Sequence, residues 1–155
     1  NHIFDIAWTP DGVTLAVAEK GVLYRSAGDG MPFQPIESPY DGSFFGALTL
    51  PDGRLLIYGM NGHAFVSNDG AVTWQAVDTG TQQFLLTGAV VDRGEVLLAG
   101  GGGTLLRLAP DTLAVSTKQL SERTGITAVL PKGDGVYLAT AAGGVQRRPL
   151  GDLFH

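Results

Sequence analysis

The chain holds 155 residues, 44% of them hydrophobic, with a mean hydropathy of +0.14, which is too apolar for disorder and long enough for one ordinary core. Its formal charge of -5, from 15 acidic and 10 basic residues, argues against the clustered Lys and Arg that grip a phosphate backbone, so no nucleic-acid partner is expected. The lack of cysteine excludes disulfides, zinc-thiolate centres and thiol catalysis, and with no apolar run of about 18 residues no membrane-spanning helix is expected in this segment.

From the N-terminus, Ile3 to Thr9 and Val13 to Ala18 read as two strands joined by the turn Pro10-Asp11-Gly12. Val22 to Ser26 follows Gly21 as a third strand, and Phe33 to Glu37 is a fourth. The same order returns as Phe44 to Leu50, the turn Pro51-Asp52-Gly53, and Arg54 to Gly59. Asn61-Gly62, a pair suited to positive φ, then leads into His63 to Ser67, and Asp69-Gly70 into Trp74 to Val77. A third copy runs Leu85 to Val91, Gly94, Glu95 to Ala99, the turn Gly100 to Gly103, Thr104 to Leu108 and Leu113 to Thr117. The fourth starts alike, with Ile126 to Leu130, Gly135, Val136 to Ala139 and Gly144, but the column of Phe33, Trp74 and Val115 next falls on position 156. No helix is expected, because apolar residues alternate or form short blocks and glycine, 23 residues in all, punctuates the chain about every ten positions.

The copies share a period of 41 residues, which is expected to run through the whole chain without an insertion or a deletion. Gly12, Gly53, Gly94 and Gly135 keep this step, as do Gly21, Gly62, Gly103 and Gly144. The apolar columns Leu15, Leu56, Leu97, Leu138 and Ile3, Phe44, Leu85, Ile126 keep it too. A period of this length is that of a four-stranded propeller blade. The expected fold is therefore all-β, a β-propeller with blades at about 1–41, 42–82, 83–123 and 124–155, the last without its outer strand. A β-sandwich could use strands this short but needs no constant period, and a parallel solenoid repeats at about half this length.

Ser67-Asn68-Asp69-Gly70-Ala71-Val72-Thr73-Trp74 resembles the Asp-box, the Ser-x-Asp-x-Gly-x-Thr-Trp motif of bacterial-neuraminidase-repeat propellers, with Ala71 in place of the glycine. Copy one keeps Ser26, Gly30 and the aromatic Phe33 in register, with Gly28 at the aspartate and Pro32 at the threonine; copy three keeps almost nothing, with Leu108, Pro110 and Val115 at the Ser, Asp and Trp positions. The whole chain is similar to the family of photosystem II stability and assembly factors and their non-photosynthetic bacterial relatives, best in Tyr58-Gly59-Met60-Asn61-Gly62 and Phe65. That resemblance implies a propeller scaffold and a periplasmic or secreted location; no photosynthetic role is carried over. Within the motif, Ser67, Asp69, Thr73 and Trp74 are expected to be structural: a short carboxylate collects the following backbone amides, and the indole covers the turn.

The remaining candidates read as scaffold. Pro10-Asp11-Gly12 and Pro51-Asp52-Gly53 are proline-initiated turns rather than an acid pair. Gly100 to Gly103 opens a strand, not the helix that a phosphate loop needs. His2, His63 and His155 lack the spacing of a ligand set, so neither a metal nor a cofactor is expected. Sialidases share the Asp-box propeller and would require an arginine triad, a tyrosine nucleophile with an acidic partner, and an acid/base carboxylate at the channel mouth. Here Arg25, Arg107, Arg147 and Arg148 fall on third strands, far from the axis, and the inner strands offer only Asp5. No catalytic residue is assigned, and a carbohydrate-processing propeller stands as the alternative.

The favoured function is a non-enzymatic scaffold for protein binding or complex assembly. Turns between strands two and three share a face with the crossings between blades, at Ser38 to Ser43, Asp78 to Gln83 and Gln119 to Thr124, and these crossings differ while the opposite turns stay regular. The candidate binding residues are Glu19, Lys20, Tyr40, Met60, Asn61, Gln82, Gln83, Glu122 and Arg123, with Tyr40 and Met60 equally readable as packing. The unfinished fourth blade leads to a further expectation: the chain is part of a longer propeller, or two copies form an eight-bladed ring, and a closed four-bladed unit is the competing case.

Overall fold

A computed structural model describes residues 1–154, so His155 lies outside the described residues. Each copy of the repeat folds into one antiparallel sheet whose strands pair in chain order. The first sheet holds β1 (Ile3–Trp8), β2 (Thr14–Ala18), β3 (Leu23–Ser26) and β4 (Gln34–Ile36). The second holds β5 (Phe44–Thr49), β6 (Leu55–Gly59), β7 (Ala64–Ser67) and β8 (Gln75–Ala76). The third holds β9 (Leu85–Val90), β10 (Val96–Gly100), β11 (Thr104–Leu108) and β12 (Val115–Gln119). The fourth has three strands, β13 (Ile126–Lys132), β14 (Gly135–Thr140) and β15 (Val145–Pro149). These are the blades of a β-propeller, with the last one incomplete.

The core lies between successive blades rather than within any one of them. Leu15, Val17 and Leu23 of blade one meet Phe44, Ala47, Leu55 and Ile57 of blade two. Leu56, Tyr58 and Ala64 of blade two meet Leu85, Val96, Leu98 and Leu106 of blade three. Leu97, Ala99 and Leu105 then meet Ile126, Val129, Val136 and Leu138 of blade four. A middle strand is thus covered on both faces, which is why β6 and β10 are buried along their whole length and read as unbroken apolar runs. The inner strands β1, β5, β9 and β13 neighbour one another in that order, but no such packing joins β13 back to β1, and the arc of blades is open among the described residues.

The 41-residue step does not survive the fourth blade. In blades one to three the innermost hairpin leaves five residues between its last common pair, as between Val90 and Val96, whereas Pro131 pairs with Val136 across four. One residue is missing from this turn, and every later position is displaced by one. Leu138 therefore pairs opposite Val129 as Leu98 does opposite Gly88, so it occupies the column of Ile57 and Leu98 and not that of Leu97. A slip of one residue turns a side chain to the other face of a sheet. Both glycine ladders break at the same place: Gly133 and Gly143 take the left-handed backbone, with φ of 61° and 91°, while Gly135 and Gly144 do not. Gly135 is instead a strand residue at which a side chain would strike Arg147.

A second correction is a short helix, α1 (Leu150–Leu153), after Pro149. Its Leu153 is buried and, with Leu150 and Phe154, packs onto the core between blades three and four, so apolar burial overrides the strand pattern there. Two outer strands are shorter than expected, β4 with three residues and β8 with two, while β12 keeps five residues but begins at Val115 rather than Leu113.

Candidate protein-interaction face

In blades one to three the turns between second and third strands are built alike. Each is a short 3-10 turn, at Glu19–Gly21, Met60–Gly62 and Gly101–Gly103, whose central residue is left-handed: Lys20 at φ 58°, Asn61 at 55° and Gly102 at 63°. Gly62 follows at φ 71°, and a side-chain carbon there would collide with the Thr81 carbonyl; one at Gly21 would collide with that of Tyr40. Glycine is required because the crossing that leaves each blade lies directly on that blade's turn. Polar contacts fasten the two together: Thr79 Oγ1 donates to the Gly62 carbonyl (2.6 Å), and the Leu120 amide to that of Gly103 (2.9 Å). The following blade joins in at blade one, where Lys20 N donates to Ser43 Oγ, and within blade two Met60 N donates to the Ser43 carbonyl, both at 3.0 Å.

The candidate residues fall into separate groups on this face. Tyr40 and Asn61 come together, the amide Nδ2 of Asn61 donating to the Tyr40 hydroxyl at 3.0 Å. The Tyr40 ring stacks on His63, with centroids 3.9 Å apart, and its inner edge packs on the core between blades one and two. Met60 is exposed beside them. Gln82 and Gln83 are exposed on the next crossing, and Gln83 lies against the Gly101-Gly102 turn. Glu122 and Arg123 are exposed on the third crossing, with Arg148 Nη2 donating to Glu122 Oε1 at 3.0 Å. The Glu122 carboxyl is held below its ordinary range by its own backbone amide and then by the Ser121 hydroxyl. Glu19 is engaged with the N-terminus: His2 N donates to Oε1 at 3.0 Å, and hydrogen bonds from the His2 ring and backbone lower its pKa. Lys20 is exposed on the same turn. His63 is the member that sequence reasoning left aside; its place beside the Asn61-Gly62 turn was the available signal.

The opposite face carries the Asp-box turn. Asp69 Oδ1 accepts hydrogen bonds from the Ser67 hydroxyl (2.9 Å) and from the amides of Val72 (3.2 Å) and Thr73 (2.9 Å), while Ser67 Oγ accepts that of Ala71 (3.0 Å). The Thr73 hydroxyl and amide, foremost among these donors, lower the Asp69 pKa to about 2. Trp74 packs on the core between blades one and two, its indole N–H buried without a partner. Arg25 of blade one donates to the Gly70 carbonyl at 2.7 Å and so ties this turn to the preceding blade. An open groove of about 690 Å³ lies beside this turn, and one of about 630 Å³ runs along the outer strands of blades two and three and reaches Asp78, Thr79 and Gly80 at the start of the second crossing.

Near the axis, Asp5 accepts the amides of Ile6 (2.9 Å) and Ala47 (3.0 Å). The arginines are engaged elsewhere: Arg54 with Asp52, Arg107 with Glu95, Arg147 with Asp134 and Arg148 with Glu122. Burial, and then the Asp5 carboxylate, push the Tyr58 hydroxyl above its ordinary range, the reverse of what a phenolate nucleophile needs.

Blades of this kind recur in solved structures. The chain resembles a streptogramin B lyase at 13% identity, over 96% of this chain and 54% of that one, with a TM-score of 0.68. It resembles Sqt1 of Chaetomium thermophilum at 18% identity, over 99% and 45%, with a TM-score of 0.74. The computationally designed Ika4 protein matches at 13% identity over 96% and 91%, with a TM-score of 0.76. The chain thus spans about half the length of the lyase and of Sqt1. Identities this low speak for the fold alone. No protein-family model matches the chain, and no curated protein does.

Proposed function

We propose that this chain is a non-enzymatic propeller scaffold whose crossing-loop face binds another protein. The observation that carries this reading is the fastening of variable crossings to invariant turns. The backbone of residues 38–43, 78–83 and 119–124 rests on glycine turns of one geometry, while the side chains presented there differ from blade to blade. A rigid support with a changed surface suits recognition of one partner without rearrangement. Of the candidates, Tyr40, Met60, Asn61 and Gln83 offer the mixed apolar and amide contact that protein interfaces use, and His63 adds an aromatic edge.

A carbohydrate-processing role has less support, because Asp5 is held by backbone amides and Arg107 and Arg147, on third strands, are paired with Glu95 and Asp134. The test is affinity capture from the source cell with the native chain and with a variant whose 38–43 and 78–83 crossings are exchanged for Gly/Ser sequence. Loss of one specific partner in the exchanged variant is expected. Undiminished capture, or saturable glycan binding on an array that the exchange leaves intact, would overturn the proposal.

A further inference from the structure

The three joints between blades are made from fixed columns of the repeat, and the same columns reappear uncovered at the two ends of the arc. On the leading side of a blade, Phe44, Leu85 and Ile126 are each fully buried against the preceding blade, yet Ile3 in the same column is 54% exposed. Ile6 is 52% exposed where Ala47 and Val129 are buried. Phe33 is also exposed, whereas Trp74, its counterpart in blade two, packs on the core in front of it. The trailing side of blade four mirrors this. Leu130 is 62% exposed, while Ala7 in its column is buried and Leu48 and Ala89 pack into the next joint. With the one-residue slip of blade four, Val145 stands where Leu23, Ala64 and Leu105 are buried, and it is 73% exposed.

We propose that these ends are blade faces that join two copies of this chain head to tail, closing one ring of eight blades from two sets of four sheets. The leading face of blade one is complementary to a trailing blade face, and a second copy supplies both faces at once. Each copy's blade four covers the other's blade one, and a two-fold axis runs through the centre of the ring. A head-to-tail contact that closes leaves neither end exposed. The length agrees, since one copy spans 54% of the lyase and 45% of Sqt1. Within the chain, Leu48 approaches Gly88 across a joint, and the corresponding pair between copies is Leu130 with Ile6. That pair is bulkier than Ala7 with Ala47, Leu48 with Gly88 or Ala89 with Val129, so the joint between copies is wider at its inner strand than those within the chain. This inference concerns the ends of the arc and does not depend on the crossing-loop face.

The chain has no cysteine, which makes directed crosslinking clean. Light scattering across micromolar concentrations is expected to give twice the 16.2 kDa mass of one chain. Leu130→Asp is expected to halve that mass with the circular dichroism spectrum unchanged, because this side chain is exposed in the single copy. Under oxidation, Ile6→Cys combined with Leu130→Cys is expected to yield a covalent dimer that neither single variant gives. A 16.2 kDa particle that unfolds cooperatively, a dimer indifferent to Leu130→Asp, a disulfide closed within a single chain of the double variant, or an open ladder of trimers and larger species would each overturn the proposal. So would a monomeric native protein in the source cell whose own further blades fill both faces.

Discussion

The outer turns of blades two and one follow one backbone plan with different chemistry. Ala71 and Gly30 hold the same step of the two turns in left-handed backbone, at φ 69° and 76°. In blade two the loop closes on a carboxylate that gathers three donors from Ser67, Val72 and Thr73 onto one oxygen. In blade one Gly28 stands at that position, and Ser26 Oγ instead donates to the carbonyls of Gly28 (2.9 Å) and Met31 (2.8 Å). Pro32 has no amide to offer in place of that of Thr73. The aromatic residue that closes each turn differs as well, Trp74 packing on the core against the neighbouring blade and Phe33 standing 47% exposed. The motif therefore stabilises a turn that sheet pairing already imposes, and its aromatic residue counts only where a preceding blade exists.

Substitutions at the aromatic pair are the strongest way to break this contrast. Trp74→Ala should lower unfolding free energy by about 3 kcal/mol in urea titrations, and Phe33→Ala in the single chain by less than about 0.5 kcal/mol. Equal losses would remove the distinction. Trp74→Phe should lose far less than Trp74→Ala, since it also removes a buried N–H that has no partner.

Acid titration comes next. The Asp69 pKa is about 2, below the ordinary 3.8, so its stabilisation is complete above about pH 4 and is lost as pH falls toward 2. Asp69→Asn should flatten the stability profile across that window, and a profile as steep as that of the native chain would contradict the assignment.

The smallest effects come from rebuilding blade one. Gly28 has open space around its α-carbon, so Gly28→Asp is accommodated, but its carboxylate can reach only the Met31 amide of the two used in blade two. A gain of a few tenths of a kcal/mol is expected for the single change, and about 1 kcal/mol once Pro32→Thr supplies the missing amide and hydroxyl. Thermal melts of the two variants would separate these values.

Much of the architecture was legible along the chain. A blade must bury the same two faces as its neighbours, so Leu15, Leu56 and Leu97 recur in step and the turn glycines recur with them. The slip in blade four was hidden by redundancy. Where both faces of a strand are buried, Leu97 and Leu98 are both leucine, and at the following turn Gly143 and Gly144 are both glycine, so either phase looks regular. Helix α1 was hidden because its formation depends on burying Leu153 against two blades rather than on any local pattern. The candidate face was legible as a set of positions but not as a surface. Nothing along the chain says that Tyr40 lies on Gly21 and stacks on His63, or that Glu19 and Glu122 are already engaged by His2 and Arg148.

The sequence by itself determined the repeat, the all-β class, the order of strands within each blade and the side on which the crossings gather, because these follow from periodic burial and from turn residues a few positions apart. Only the tertiary structure decided which blade faces are covered, that the arc is open among the described residues, and that Ile3 and Leu130 are exposed there although their columns pack into joints elsewhere. The physical reason is that burial at a blade face belongs to a pair of blades: a residue carries its own hydrophobicity in the chain, but whether that apolar surface leaves water depends on a neighbour that local sequence does not specify.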